Sequence, residues 1–330
     1  MFYMGSPLKT KGKVGKTMRP VSGLTVIEYP YCYNAWDVEL SGGKLVFHSE
    51  IKKLMHRETC FYHESGVFHT MGVPVTVKEI DYQMYQQYPP YEGVTRNISD
   101  DVCSALQKGD AVLFPGGYCN SAPAIVGGIQ RAIGEDKIIG VIWIDAHADC
   151  RIPGQSAVSP TRLVSVPMST LTGIADSTLL DYRKKVCGLQ IPCRGENVIA
   201  SDIRILDEET GHNLITAGIL KLDASEFASE DTWRGAVEAL AERVDAIYVS
   251  IDADILKHRY IPSYSKNVPY GQELDTVARN AAIATETGKV CALSLFCFNF
   301  DLDSKDAAQT YQSAITIMGS ALKSWRCMPM

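Results

Sequence analysis

Six short runs of β-branched and apolar residues, continuous rather than alternating, constrain this 330-residue chain more than any other feature; they fall at 24–29, 111–114, 138–144, 198–201, 246–251 and 290–296. A strand with one face in water alternates apolar with polar residues, whereas a strand covered on both faces has no place for the polar ones. Continuous runs therefore predict a buried, parallel sheet. Segments 99–108, 121–133, 232–243, 271–287 and 304–322 lie between and after these runs with helix-like apolar spacing, and the first opens on Ser-Asp-Asp, a plausible N-cap. Strand alternating with helix gives an α/β fold with a doubly wound sheet.

No repeat, low-complexity tract or Gly/Ser-rich linker divides the chain, and 46% apolar composition suffices for one sizeable core. One domain over residues 1–330 is expected, with the basic, Gly- and Pro-containing stretch 1–20 as a mobile lead-in. Thirty-two basic against 38 acidic residues leave a net charge of -6, which gives nucleic acid nothing to bind. No apolar stretch approaches the roughly 20 residues of a membrane span, so no membrane partner is expected. The ten cysteines include no CxxC pair, which predicts free thiols and a cytoplasmic protein.

In an open parallel sheet, ligands collect beyond the carboxyl ends of the strands. After 111–114 come Pro115, Gly116, Gly117, Tyr118 and Cys119; after 138–144 comes Asp145-Ala146-His147-Ala148-Asp149; after 246–251 comes Asp252-Ala253-Asp254; after 290–296 comes Cys297. Alternation along an extended chain puts Asp145, His147 and Asp149 on one side, and likewise Asp252 with Asp254. A single DxD past a strand is commonly a cap or a solvated turn. Two such runs beside a Gly-Gly are a different matter, because four converging carboxylates cannot all stay ionised without cations between them. Two divalent ions about 3.5 to 4 Å apart, sharing one water, suit such a donor set. Segments 151–167 and 256–269 follow strands directly and have the length of functional loops, consistent with a small-molecule substrate.

These residues resemble a family. Gly116-Gly117, Asp145-Ala146-His147-Ala148-Asp149 and Ser250-Ile251-Asp252-Ala253-Asp254 are similar to the three metal-binding motifs of the arginase/agmatinase (ureohydrolase) family, and Asp202-Ile203-Arg204 stands at the place of its Gly-Ile-Arg strand end. The resemblance implies a three-layer α-β-α fold with a mostly parallel sheet, a trimer or hexamer, and a binuclear manganese centre. It also implies hydrolysis of a guanidino or amidino C–N bond by a metal-bridging hydroxide. Carried over by position, Asp145 and Asp252 bridge the metals, Cys119 and Asp149 complete one ion, and His147 and Asp254 the other.

The departures from the family pattern are as informative. Cys119 replaces a His, a softer ligand that favours zinc, iron or cobalt over manganese; family members acting on N-hydroxylated guanidines are similar in having Cys there. The family's SGNxHG stretch falls on 160–165, so its Asn becomes Arg162 and its proton-shuttling His becomes Val164. Its guanidinium-orienting Glu falls on Cys297 and a nearby Asp on Ser294, while Asp207 matches an acidic position that contacts the substrate's amino group. The expected enzyme hydrolyses a non-standard, neutral, anionic or N-hydroxylated guanidino compound. Arg162 would hold a carboxylate, Asp207 and Cys297 would line the substrate, and Asp149 would pass the proton in place of the missing His. The alternative is a non-catalytic or regulatory homologue that binds a ligand or partner. A disulfide among Cys119, Cys150 and Cys297 is less expected than free thiols, His48, His56, His63 and His69 fit no zinc pattern, and aromatic-rich 82–91 reads as a surface loop.

Overall fold

All six apolar runs are strands in the computed structural model, which describes residues 18–32, 38–41, 44–47, 52–53, 57–155, 161–264, 268–298 and 307–329. The central sheet has eight strands: β1 (Gly23–Glu28), β2 (Val75–Glu79), β3 (Asp110–Pro115), β4 (Ile139–Ile144), β5 (Val198–Ser201), β6 (Leu220–Leu222), β7 (Ala246–Asp252) and β8 (Val290–Phe296). Their order is β6-β5-β4-β7-β8-β3-β1-β2, and every pairing is parallel. Every residue of β1, β4, β5, β7 and β8 is buried, which is why these segments show no alternation. The two strands that the apolar runs did not predict, β2 and β6, are the sheet's edges. Most of their residues are half-buried or exposed, so they lack a continuous apolar signal.

Helices cover both faces, giving the three-layer α/β arrangement. The first long one, α1, spans Pro90–Lys108 rather than beginning at Ser99. Pro90 sits in its first turn, where a missing N–H costs nothing, and the buried stripe runs through Tyr91, Val94, Ile98 and Val102. Ser99 is buried mid-helix, Asp100 pairs with Arg131 and Asp101 with Lys78, so the Ser-Asp-Asp expected as a cap does other work. Helix α1 lies against α2 (Ala122–Ile133), and the approach needs Gly128, where a Cβ would stand 2.6 Å from the Ser99 carbonyl oxygen. Farther along, α3 (Glu208–Ala217), α4 (Glu230–Arg243), α5 (Leu274–Glu286) and α6 (Ala307–Ser324) complete the layers.

Residues 83–90 are mostly exposed as expected, whereas Tyr91 is buried inside α1. Of the 1–20 lead-in, Met18–Pro20 form a short strand antiparallel to Cys327–Pro329, and 1–17 lie outside the described residues. His48 and His56 also lie outside them; His63 bonds Glu28 at 2.7 Å and His69 is exposed. One contiguous core runs through the molecule, and among the described residues no helix is long and apolar enough to cross a membrane.

Sheet register positions the site. Pro115 of β3 lies opposite Leu295 of β8, Phe296 of β8 opposite Asp252 of β7, and Ile251 of β7 opposite Ile144 of β4, so four central strands end level. After β4 the chain moves outward to β5, and after β7 it moves the other way to β8. The crevice between β4 and β7 is therefore a topological switch point, and the residues that open it are Asp145 and Asp252.

Candidate metal centre

Each acidic strand end folds back on its own backbone. Asp145 Oδ1 accepts the His147 amide at 2.6 Å and Asp252 Oδ1 accepts the Asp254 amide at 3.1 Å, the local turn chemistry that DxH and DxD encode. Asp254 then crosses to the neighbouring strand end. Its Oδ1 accepts the Ala146 amide at 3.1 Å, and its Oδ2 lies 2.7 Å from His147 Nδ1 and accepts the Tyr264 hydroxyl at 3.1 Å. Asp145, His147 and Asp254 thus each bring a ligand atom within 4.8 Å of the others.

Asp149, Asp252, Cys119 and Cys297 stand outside this triad. The Cys119 thiol donates to the Val164 carbonyl oxygen at 3.4 Å. Cys297 is buried, and its amide donates to the Gly117 carbonyl at 3.0 Å. Asp149, Asp202 and Cys297 are three of the four non-glycine residues with positive φ among the described residues, at 44°, 57° and 65°, and each follows a sheet strand. Such conformations cost about 1 to 3 kcal/mol and gather at functional sites. Cys119, Cys150 and Cys297 are free thiols.

The electrostatics of the cluster call for a cation. Burial, then the charge of Asp254, pushes Asp145 and Asp252 well above the carboxylate range. Burial raises Asp149 to about 7 against the opposing charge of His147. Burial lowers the pKa of His147, but its hydrogen bonds to Asp145 and Asp254 prevail and lift it to about 11. Asp254, although buried, is held below its ordinary value by that hydrogen bond and charge. Burial raises both thiols, helped by Asp149 at Cys119 and by Asp252 at Cys297. Three buried carboxylates and the half-buried Asp149 share one imidazole, and a set of oxygen, nitrogen and sulfur donors this short of positive charge fits divalent metal.

Several residues brace the cluster from outside it. Arg204 holds the Asp252–Ile255 turn: Nη2 donates to the Asp254 carbonyl at 2.5 Å, Nη1 pairs with Asp202 Oδ2 at 2.9 Å, and Nε donates to the Pro269 carbonyl at 2.8 Å. Replacing Arg204 with lysine removes this three-way fork, and metal affinity is expected to fall about 10- to 100-fold. Chelator competition measures the change, and an unaltered dissociation constant would show that the turn holds without the fork. Tyr91 links to Tyr182 at 3.1 Å and receives the Asn120 amide at 2.7 Å, bracing the loop beside Cys119.

The positions expected to face substrate are distributed differently. Asp207 caps α3, accepting the Thr210 amide at 2.9 Å, and pairs with Arg151; the Thr210 hydrogen bond and this pair hold its pKa down at about 2. Arg151 also meets Glu209 at 2.8 Å, a pairing across 58 residues that spacing could not reveal. Arg162 is half-buried in Thr161–Arg162, a two-residue strand pairing with Val38–Ser41. Ser294 is buried in the sheet, 2.6 Å from the Tyr248 hydroxyl. Cys297 stands with the carboxylates.

The model of the Arginase family matches residues 52–323. Arginase from Emericella nidulans is 25% identical over 272 residues, covering 79% of this chain and 81% of its own length. Arginase from Coccidioides posadasii is 26% identical over 267 residues, covering 78% and 80%. Among solved structures, arginase from Bacillus cereus superposes with a TM-score of 0.69 at 20% identity, covering 91% of this chain and 98% of that one. Formimidoylglutamase from Bacillus subtilis superposes with a TM-score of 0.66 at 16% identity, covering 98% and 95%.

Proposed function

The chain belongs to the arginase family, and on that premise we propose that it is a metal-dependent hydrolase of a non-standard guanidino or amidino compound. The observation that carries this reading is the triad of Asp145, His147 and Asp254 within 4.8 Å, with Asp149, Asp252 and Cys119 at three of the level strand ends. Asp145 and Asp252 would be shared between two ions, with Cys119 and Asp149 completing one and His147 and Asp254 the other. When bound, the ions would supply the missing positive charge and the Lewis acidity that makes a water nucleophilic near neutral pH. Manganese is the family's metal, and the Cys119 thiol favours a softer ion.

The chain's own groups divide the remaining work. Asp149, whose pKa burial raises to about 7, would receive a proton and hand it to the leaving amine. Tyr264 and Arg204 fix Asp254 from its side chain and its backbone. Asp207 is engaged with Arg151 and with its own helix end, which leaves it a poor partner for a cationic amino group. That pairing supports a neutral, anionic or N-hydroxylated substrate, whose carboxylate Arg162 would hold. The chain would act as one unit, as a cytoplasmic trimer or hexamer.

Two measurements test the reading together. Protein purified without chelator should contain at least one transition-metal equivalent per chain, and a guanidino acid panel should yield a substrate while L-arginine releases urea poorly. Failure to reconstitute the protein with manganese, zinc, cobalt, iron or nickel would remove the metal chemistry. Urea release from L-arginine at ordinary enzyme rates, about 1 to 10³ per second, would remove the specificity argument.

A further inference from the structure

The hydrogen bond from Tyr264 to Asp254 spans ten residues, so the chain leaves the cluster after β7 and returns to it with a hydroxyl. A hydroxyl carried on such a loop arrives only if the excursion is fixed, because every free residue has backbone entropy to lose. Backbone bonds hold the near side: the Gln272 amide donates to the Ile255 carbonyl at 2.8 Å and the Lys257 amide to the Gln272 carbonyl at 3.0 Å. Helix α6 holds the far side, where Ser313 Oγ donates to the Tyr260 carbonyl at 2.7 Å and Ser263 Oγ to Thr310 Oγ1 at 2.7 Å. Between them, Lys257, Arg259 and Tyr260 converge on the carboxylate of Glu273. Lys257 donates to Oε1, Arg259 to Oε2, and the Tyr260 hydroxyl also to Oε2 at 2.5 Å. The Arg259 guanidinium lies over the Tyr260 ring, 4.8 Å from its centroid. Glu273 stands at the N-cap of α5 yet makes no side-chain cap bond there, so its carboxylate serves the loop and not the helix.

We propose that Glu273 is a positioning residue for the metal centre: it clamps 257–260 so that the Tyr264 hydroxyl reaches Asp254 and keeps that carboxylate turned toward His147. The inference rests on reading the cluster as a metal centre and adds to it a residue that touches no ligand. Glu273 is 42% exposed, and ion pairs in water contribute little to stability, so the clamp matters through geometry. Without it the loop samples more conformations and Tyr264 leaves Asp254 for part of the time. Asp254 must then be ordered as metal binds, which weakens binding.

A double-mutant cycle in zinc affinity, read by chelator competition on the full-length protein, tests this. Glu273→Ala should weaken zinc binding about 3- to 10-fold, less than the 10- to 100-fold of a group that touches a ligand directly, and Tyr264→Phe at least as much as Glu273→Ala. Because both act through one hydroxyl, the double variant should bind zinc no more weakly than Tyr264→Phe alone. Glu286→Ala is the control: it removes a comparably exposed carboxylate, paired with Arg234 at the other end of α5, and should leave zinc affinity unchanged. Wild-type affinity in Glu273→Ala, losses that multiply in the double variant, or an equal loss in Glu286→Ala would overturn the inference while leaving the metal centre in place. Zinc bound by none of the proteins, wild type included, would overturn the metal centre and the inference with it. Should Glu273→Ala fail to fold, Tyr260→Phe removes one donor and keeps the ring. A loss of affinity that vanishes in the Tyr264→Phe background then supports the proposal, and no loss, or one that persists there, refutes it.

Discussion

Asp252→Asn is expected to empty both metal positions and to suppress hydrolysis by more than the roughly 10²- to 10³-fold that losing a single transition-state donor costs. The asparagine retains an oxygen for the Asp254 amide, which Asp252 now accepts at 3.1 Å, so the turn survives while the charge between the ions does not. Metal-free protein should become more stable with the same substitution, because a buried carboxylate beside Asp254 and Asp145 is replaced by a neutral amide. Cys119→Ser should weaken one ion only, and Cys119→His should shift preference toward manganese. Elemental analysis, thermal unfolding and turnover of the four proteins side by side decide the matter. Metal retained at wild-type stoichiometry in Asp252→Asn would show that this carboxylate is no ligand.

The second large effect is a dependence of stability on pH that reverses when metal binds. An acid whose folded pKa exceeds its unfolded value carries more protons in the folded state, so stability falls as pH rises between the two values. For Asp149 the interval runs from 3.8 to about 7, on the order of 4 kcal/mol at about 1.4 kcal/mol per unit. Asp145 and Asp252 are shifted the same way by burial and by their carboxylate neighbours. His147 acts in the same direction. Burial lowers its pKa, but its two carboxylates lift it to about 11, so its contribution is complete below 6.5 and disappears as pH climbs through 11. Within the cluster only Asp254, shifted downward, contributes stability that is lost on acidification. Metal-free protein should therefore weaken steadily above about pH 5. Metal-loaded protein, whose ligands bind deprotonated, should gain relative to it. Thermal unfolding at pH 5, 7 and 9 with and without zinc should show a widening gap, and a gap that stays constant or narrows would separate the acid cluster from metal binding.

The central strands were legible because burial on both faces leaves a mark that one residue after another repeats. The residues just past them could be inspected as ligands because sheet physics says where ligands gather. Edge strands β2 and β6 left no such mark, since exposure breaks the apolar run. Helix α1 was foreseen only in its second half, where Ser-Asp-Asp imitated a start that lies at Pro90. The contacts that organise the centre were invisible for another reason. Arg204 stood out only as the end of the Asp202-Ile203-Arg204 stretch, and its reach to Asp254 across 50 residues, like that of Arg151 to Asp207 across 56, follows from no spacing that chemistry requires. Tyr264 fell within a loop marked for its length, but nothing in the loop's composition singled out its hydroxyl.

The level ends of β3, β4, β7 and β8 make the frame and the chemistry separable. The segments past these strands carry the cluster, Asp145, His147 and Asp149 on one and Asp252 and Asp254 on another, and each segment is located first by sheet hydrogen bonds below the site. A side chain on a separate segment, such as the Cys119 thiol past β3, can therefore be exchanged for an imidazole without displacing the rest. The edge behaves as a socket with independently replaceable pins, so the preferred ion and the accepted substrate can drift one residue at a time while the scaffold beneath them stays the same.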